Sequence, residues 1–444
     1  MNTPIADFVR AYAASDAARL HMPGHKGAAV LGPEALDVTE IPGADALYHG
    51  GGIIAASEAN AAALFGSAKT LYSAEGSSLC IRAMLFLALQ YARLTGKAPR
   101  VLAGRNAHSA FLSGAALLDL DVAWLWGGEL LSCSVSPEAL DAALSETDCA
   151  AVYLTSPDYL GRACDLAALA AVCHRHGALL LVDNAHGAYL HFLPRPRHPL
   201  DLGADLCCDS AHKTLPVLTG GAYLHLSKRC PEALPPMAEA AMRLFASTSP
   251  SWLILQSLDL CNAALAGDYP RRLAETAARL DALKAALAAS GWALCGDEPL
   301  KLTLCPKSRG YTGTALSEAL AARGIVCEFA DPDFCVCMLS PDNSPENFER
   351  LRAALLSLPL RPAIADKAPP LPRPERVLSP REAMLAPFET LPTAACLGRV
   401  LAAPTVSCPP AVPILVAGER VDEKALAVFD YYGYTSLDVI KPSP

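Results

Sequence analysis

The sequence predicts an α/β protein whose main body is a mostly parallel sheet with helices on both faces, followed by smaller α+β pieces. Two observations carry this. Short apolar runs (Arg100 to Gly104, Cys149 to Leu154, Ala178 to Val182, and Ala204 to Cys208 broken only by Asp205) show no period-two alternation. Such runs read as strands buried on both faces, which is the habit of parallel sheets. Each run is also followed by a polar cluster: Asn106-Ala107-His108, Thr155-Ser156-Pro157, Asp183 to His186, and Ser210 to Lys213. In open α/β sheets ligands collect beyond the carboxyl ends of the strands, so these clusters are the candidate site.

The bulk properties narrow the classes. With 444 residues, 52% hydrophobic and 18% charged, the chain is globular and long enough for two or three domains. The net charge of −9 and the absence of a basic run argue against nucleic acid or an anionic membrane surface as partner. Met1 to Arg10 places Asp7 before its only basic residue, unlike a signal peptide, and no 18-residue stretch is uninterruptedly apolar. Sixteen cysteines include no CxxC pair, and many lie inside apolar runs as small hydrophobes. A reduced, cytoplasmic protein is expected.

Taken in order, residues 1–55 form an irregular N-terminal segment after a short helical start. It contains His21-Met22-Pro23-Gly24-His25-Lys26-Gly27 and the turn-rich Glu40 to Asp45. Pro23-Gly24 breaks the helix that a His21–His25 metal pair would need. Loops this long in a compact domain are functional or pack on a partner, so this segment is assigned to an active-site entrance and a dimer interface. Residues 56–265 form the large domain. Ser77 to Leu94 is apolar on nearly every face, as a buried helix requires. Asp165 caps a helix that runs to His176 and stops at Gly177, leaving His174 and His176 where a helix end favours cations. Leu258 to Leu287 has helical spacing for one long helix or two. Residues 266–360 read as a small α+β domain with strands at Lys301 to Leu304 and Val336 to Leu339. Residues 361–386 form a proline-rich linker, and 387–444 a C-terminal domain.

The chemistry centres on Asp209-Ser210-Ala211-His212-Lys213-Thr214. A lysine just past a buried strand is where an amine can be partly desolvated and made nucleophilic. Thirty positions earlier (213 − 183), Asp183 ends another apolar run, where a carboxylate needs a cationic or donor partner. A lysine and an aspartate at two strand ends suit pyridoxal 5'-phosphate: the lysine forms the Schiff base and the aspartate pairs with the ring nitrogen. Gly76-Ser77-Ser78 opens the buried helix with hydroxyls and free N–H groups that suit a phosphate, although a plain serine cap has the same residues. His108 is placed to lie against a ring, or is an ordinary loop histidine. Ala185 is small enough for a ring to pack on. Ser210 and His212 flank the lysine, and Ser247 to Ser251 is a further hydroxyl-rich turn or a helix cap.

Together these residues resemble the Orn/Lys/Arg decarboxylase family, pyridoxal-phosphate enzymes of the aspartate aminotransferase fold type I. The resemblance rests on HMPGHKG at 21–27, TEIPGAD at 39–45, NAHSA at 106–110, DNAHGAY at 183–189, SAHKTL at 210–215, STSPS at 247–251 and a stretch from Gly398 to Glu419. It covers most of the chain and matches compact members without an N-terminal wing domain. It implies Lys213 as the Schiff-base lysine, Asp183 on the pyridine nitrogen and His108 stacked on the ring, with Ala185 and His186 beside it. It implies Gly76, Ser77, Ser78, Ser210 and His212 around the phosphate, and Thr248 and Ser249 near a homodimer interface. The activity implied is decarboxylation of arginine, lysine or ornithine, with His212 or Lys213 returning a proton to the α-carbon. Another fold type I reaction and a non-catalytic homologue remain as alternatives. Glu328 and Asp331 are the acidic candidates for the substrate's distal cation. The sequence departs from the family at Ala403, where a glutamate is usual, and at Cys408 and Ala411, in place of tyrosine and glycine. That removes a carboxylate near the entrance and leaves the cofactor chemistry untouched.

Overall fold

In the computed structural model, residues 1–127, 134–406 and 412–442 are described. The chain divides into two units, Met1–Pro99 with Asp148–Val152 and Leu166–Arg272, and Arg100–Thr147 with Tyr153–Asp165 and Leu273–Pro444. The principal sheet has seven strands: β1 (Lys69–Ser73), β2 (Arg100–Gly104), β3 (Asp121–Leu125), β4 (Ala151–Thr155), β5 (Leu179–Asp183), β6 (Leu206–Asp209) and β7 (Ala222–Leu226). It is large, mainly parallel and flanked by helices, as the unalternating apolar runs require.

In the first unit the strand order is β1-β7-β6-β5. β5 and β6 are parallel, while β7 is antiparallel to both of its neighbours. β5, β6 and β7 are buried along their whole length. β6 begins two residues later than the apolar run suggested. Asp205 accepts hydrogen bonds there from Leu180 N (2.7 Å) and from His174 Nε2 (3.1 Å) and so serves as a polar anchor below the strand. That pairing gives His174 a structural role at its helix end. The unit's helices are α1 (Pro4–Ala13), α2 (Ile53–Phe65), α3 (Gly76–Thr95), Leu166–Arg175 and Trp252–Leu265. The Ala/Leu-rich stretch is two helices, the second being Tyr269–Ala289. His21 and His25 are engaged separately, His21 with Tyr12 Oη and His25 with Asp37 at 3.2 Å.

Buried acids fasten the N-terminal segment and the sheet edge. α1 starts without a side-chain cap, so its first amides need an acceptor. Asp259, fully buried, supplies one: its Oδ2 accepts from Ile5 N and Ala6 N, each at 2.9 Å. At β1, Tyr72 N donates to Glu58 Oε1 (2.8 Å) and Tyr72 O accepts from Tyr48 Oη (2.6 Å), so both backbone groups of this strand residue are covered.

In the second unit β2 and β3 are parallel. A separate four-stranded sheet contains Lys301–Leu304 and Cys335–Met338 and packs on a core of Leu280, Leu287, Trp292, Leu316, Leu320 and Leu355. The expected small-domain strands are thus present within a residue. The prolines between 359 and 374 lie in a stretch without regular structure, and the helix Pro380–Leu385 then starts from a capping box of Ser379 and Glu382. Phe388–Pro392 and Ser436–Ile440 pair antiparallel, and the helix Glu423–Tyr431 buries Ala425, Val428 and Phe429.

Burial pushes the Glu58 carboxyl up to about 8 from its ordinary 4.5. Its folded-state value is therefore raised, and the associated stability is fully present below the unfolded value and lost as pH rises toward the folded one. Glu58→Gln keeps an acceptor for Tyr72 N and removes the titration. The variant should match the parent in unfolding free energy near pH 4 and exceed it above about pH 8, by at most about 5 kcal/mol. Paired denaturant melts across pH check this, and a constant difference would refute it.

Candidate active site

β5 delivers Asp183 to its carboxyl end, where the side chain is only 2% exposed. Its Oδ1 accepts from Ala185 N at 3.1 Å and from Cys208 Sγ at 3.7 Å. Asn184 continues the alignment with β6 through Asn184 N to Cys208 O (2.9 Å), and its Nδ2 donates to Asp209 Oδ1 (2.7 Å). Asp209, the last residue of β6, is fully buried and also accepts from His198 Nε2 (3.0 Å) and His225 Nε2 (3.2 Å). Burial alone would raise this carboxyl, but the His198 and His225 contacts outweigh it and hold it well below the usual range. Burial in turn lowers His225 from its ordinary value, against the pull of Asp209.

His198, Cys207 and Asp209 also bring potential metal-ligand atoms within 4.8 Å of one another. Leu200 N donates to His198 Nδ1 (3.3 Å), which places the imidazole proton on Nε2, toward Asp209. The His198–Asp209 contact is thus a hydrogen bond, with no lone pair on Nε2 left for a metal.

Beyond Asp209 the chain turns through the four-residue helix Ala211–Thr214. Lys213 is exposed, with its Nζ 3.2 Å from Nε2 of the buried His186. The residue as a whole is exposed, while its amine rests against the buried imidazole. His212 Nδ1 donates to Gly221 O (3.0 Å); a carbonyl only accepts, so Nδ1 carries a hydrogen and Nε2 is the acceptor of the neutral ring. Ser210 Oγ donates to Ser77 Oγ (2.7 Å), joining the lysine turn to the start of α3.

No side chain among the described residues caps α3, and Gly76, at φ +70°, donates its N–H to Gly220 O (2.7 Å). A Cβ at Gly76 would meet nothing within 4 Å, so the space over the helix start is open. Ser77 and Ser78 are half-buried there. Ser247 N donates to Glu75 Oε1 (2.6 Å), which ties the turn with the exposed Thr248 and Ser249 to the residue before Gly76. Thr248 also lines a cavity of about 270 Å³ with Tyr48, His49 and Arg243.

An uncapped N-terminus of a 20-residue helix with two linked hydroxyls suits a phosphate. A buried aspartate suits a pyridinium, and an exposed lysine amine suits an aldehyde. The first unit's residues therefore fit pyridoxal 5'-phosphate.

His108 and Arg105 belong to the second unit. His108 is exposed and caps the helix Ser109–Leu118, its Nδ1 accepting from Ala110 N at 3.2 Å. Arg105, 1% exposed, forms a bidentate pair with Glu419 at 2.8 and 2.7 Å, and its guanidinium lies over Trp124 and Trp126. Ala403 packs against the C-terminal core, while Cys408 and Ala411 lie outside the described residues. Of the two acidic candidates, Glu328 is exposed and accepts from Tyr159 Oη (2.9 Å). Asp331 is fully buried and accepts from Asp333 N and Phe334 N, both at 2.7 Å.

The profile of the family described as "Orn/Lys/Arg decarboxylase, major domain" matches residues 3–295. The chain belongs to the Orn/Lys/Arg decarboxylase family. This decarboxylase is pyridoxal-phosphate-dependent, with amino acids as its substrate class. It is 30% identical to the uncharacterized protein YaaO of Bacillus subtilis over 96% of the chain and 93% of that protein. It is 27% identical to an arginine decarboxylase of Bacillus subtilis over 99% of the chain and 94% of that enzyme. Lysine decarboxylase A from Pseudomonas aeruginosa has a similar fold, with TM-score 0.79 at 18% identity over 99% of this chain and 80% of that one. Serine palmitoyltransferase of Sphingomonas wittichii superposes with TM-score 0.53 at 18% identity over 68% and 75% of the two chains.

Sequence reasoning missed the Asp209–His198–His225 cluster and the Arg105–Glu419 pair, because each joins residues far apart in the chain. The buried charge of Arg105 predicts a large effect. Glu419→Ala should lower unfolding free energy by about 3–5 kcal/mol, since the guanidinium loses its counter-ion without regaining water. A denaturant melt showing less than about 1 kcal/mol would refute it.

Proposed function

We propose that this decarboxylase removes the α-carboxylate of a basic amino acid, arginine first among arginine, lysine and ornithine. The observation that carries the reading is the meeting of Asp183, the His186–Lys213 contact and the Ser77–Ser210 contact beyond the ends of β5 and β6. The preference for arginine rests on relatives named arginine decarboxylase that span 96–99% of the chain.

In this reading Lys213 Nζ would hold the cofactor aldehyde, and Asp183 would pair with the ring nitrogen. Ser77, Ser78 and Ser210, with the amides of Ser77 and Ser78, would bind the phosphate, Gly76 allowing its close approach and His212 lying near it. Ala185 leaves room for the ring, and His108 stacks on it. Bound there, the cofactor's protonated pyridine is the electron sink for the bond broken at the substrate α-carbon. The chain's own residues then manage the proton. The Lys213 amine has His186 Nε2 at 3.2 Å to exchange a proton with. His212, fixed by its Nδ1–H on Gly221 O, presents Nε2 as a second carrier.

For the distal cation, the exposed Glu328 suits a substrate contact better than Asp331, which is fully buried and has one oxygen held in its own turn. Thr248 and Ser249 complete a partner's site in a homodimer, with residues 1–55 at that interface and at the entrance. Residues 56–265 form the cofactor-binding domain, 266–360 the small domain, 361–386 the linker and 387–444 the C-terminal domain. A cytoplasmic location fits a chain in which no described helix is long and apolar enough to cross a membrane.

Lys213→Ala should lose the visible-edge absorbance of the purified protein together with carbon dioxide release; a coloured, active variant would sink the lysine assignment. Across a panel of amino acids, gas release without keto-acid formation is expected, greatest with arginine. Keto acid without gas would move the reaction to transamination.

A further inference from the structure

The strand Cys335–Met338 puts Cys335 and Cys337 two residues apart on one face, turned into the small-domain core. Cys327, half-buried, packs against the same core from the preceding segment. Its sulfur lies 3.5 Å from Cys335 Sγ and 3.8 Å from Cys337 Sγ. These thiols take no part in the chemistry above. Cys327 is next to Val326, which is 92% exposed. Cys337 lines a cavity of about 190 Å³ with Gly324, Val326 and Arg350. Cys327 is itself partly exposed, and a peroxide-sized molecule has space at the edge of the trio beside Cys337.

We propose that Cys327, Cys335 and Cys337 form an oxidation site for a hydroperoxide, in which Cys327 is oxidised first and Cys335 closes a disulfide with it. Both neighbours aim S–H donors at Cys327, which favours its thiolate and lowers its pKa. The Cys327 sulfur attacks one peroxide oxygen: an S–O bond forms, the O–O bond breaks and hydroxide leaves. The Cys335 sulfur then attacks Cys327: an S–S bond forms, the S–O bond breaks, and the oxygen leaves as water with the thiol proton. The balance is two thiols and one hydrogen peroxide to one disulfide and two waters, the sulfurs supplying both electrons. The sulfurs must approach by about 1.5 Å to reach bonding distance. Gly324, at φ +71° in the half-exposed segment before Cys327, is placed to absorb that shift. Glu328 follows Cys327 directly, so its contact with Tyr159 is the first to feel the movement.

The test treats the full-length holoenzyme with stoichiometric hydrogen peroxide, alkylates the remaining thiols and maps them by mass spectrometry. No lysine or arginine lies between Gly324 and Arg350, so trypsin leaves all three cysteines in one peptide. Cleavage at Asp331 and Asp333 then separates Cys327 from the other two. The expected result is loss of two alkylatable thiols from that peptide, fragments joined through Cys327 and Cys335, and restoration by dithiothreitol. Cys327→Ser should leave Cys335 and Cys337 alkylatable, and Cys335→Ser should divert the link to Cys337. The proposal is overturned if Cys327 stays alkylatable in the unaltered protein while other thiols, such as Cys305, are consumed. An unchanged yield of the two-thiol loss in Cys327→Ser overturns it as well.

Discussion

The first unit depends on keeping one carboxylate ionised inside the protein. An isolated buried anion costs several kcal/mol, so Asp209 persists only because its oxygens have donors on several sides. Asn184, His198 and His225 supply them, and each comes from a different stretch of chain. The arrangement extends outward, since Thr70 Oγ1 meets His225 Nδ1 at 2.8 Å and Ser67 Oγ meets Thr70 Oγ1 at 2.8 Å. The consequence lies one residue away on each strand. Asn184 follows Asp183, and Asp209 precedes Ser210 in the turn to Lys213. Asn184 thus joins the ends of β5 and β6 twice, through its backbone N–H to Cys208 O and through its side chain to Asp209, where both strands end. Past the strand ends the side chain extends the alignment that backbone register sets within them.

The second unit solves the same problem with an ion pair of opposite signs. Arg105 immediately precedes Asn106, Ala107 and His108, and its guanidinium is closed between Glu419 and two tryptophans. Burial pushes the Glu419 carboxyl up, while Arg105 pulls it down. The bidentate fork fixes direction as well as charge, which a lysine in that place would not do. The loop with His108 therefore leaves β2 from a backbone anchored at Arg105. In both units a candidate loop begins one to four residues from a buried, paired charge.

These two anchors also separate what was legible in the sequence from what was not. Unalternating apolar runs gave the strands, since full burial on both faces leaves that local trace. The places of the lysine, the aspartate and the serines at strand and helix ends were legible because the apolar runs that precede or follow them mark those ends. Asp209 stood in the motif that drew attention to Lys213, yet nothing local shows that His198 and His225 converge on it. Such a pairing depends on sheet order, and β7, with His225, is an antiparallel strand inserted between β6 and β1. Glu419 is 314 positions from Arg105, beyond the reach of any periodicity. Lys213 as a residue is exposed, set off from the buried strand by the helical turn from Ala211 to Thr214, while its amine rests against the buried His186.

The same distinction bears on substrate choice. A basic amino acid needs a carboxylate that it can reach and that keeps its charge, and a fully buried acid is a poor one. Asp331 is of that kind: two amides hold its Oδ1 in a tight turn, and burial raises its carboxyl to about 6, so part of its charge is lost near neutrality. Glu328 is exposed and carries one neutral donor, the Tyr159 hydroxyl, which orients a carboxylate without neutralising it. With alanine at 403 packed into the C-terminal core, that position offers no charge to compete. With Glu328 in the proposed role, selectivity among substrates of different length would turn on where one oriented carboxylate stands, and less on how many acids surround the site.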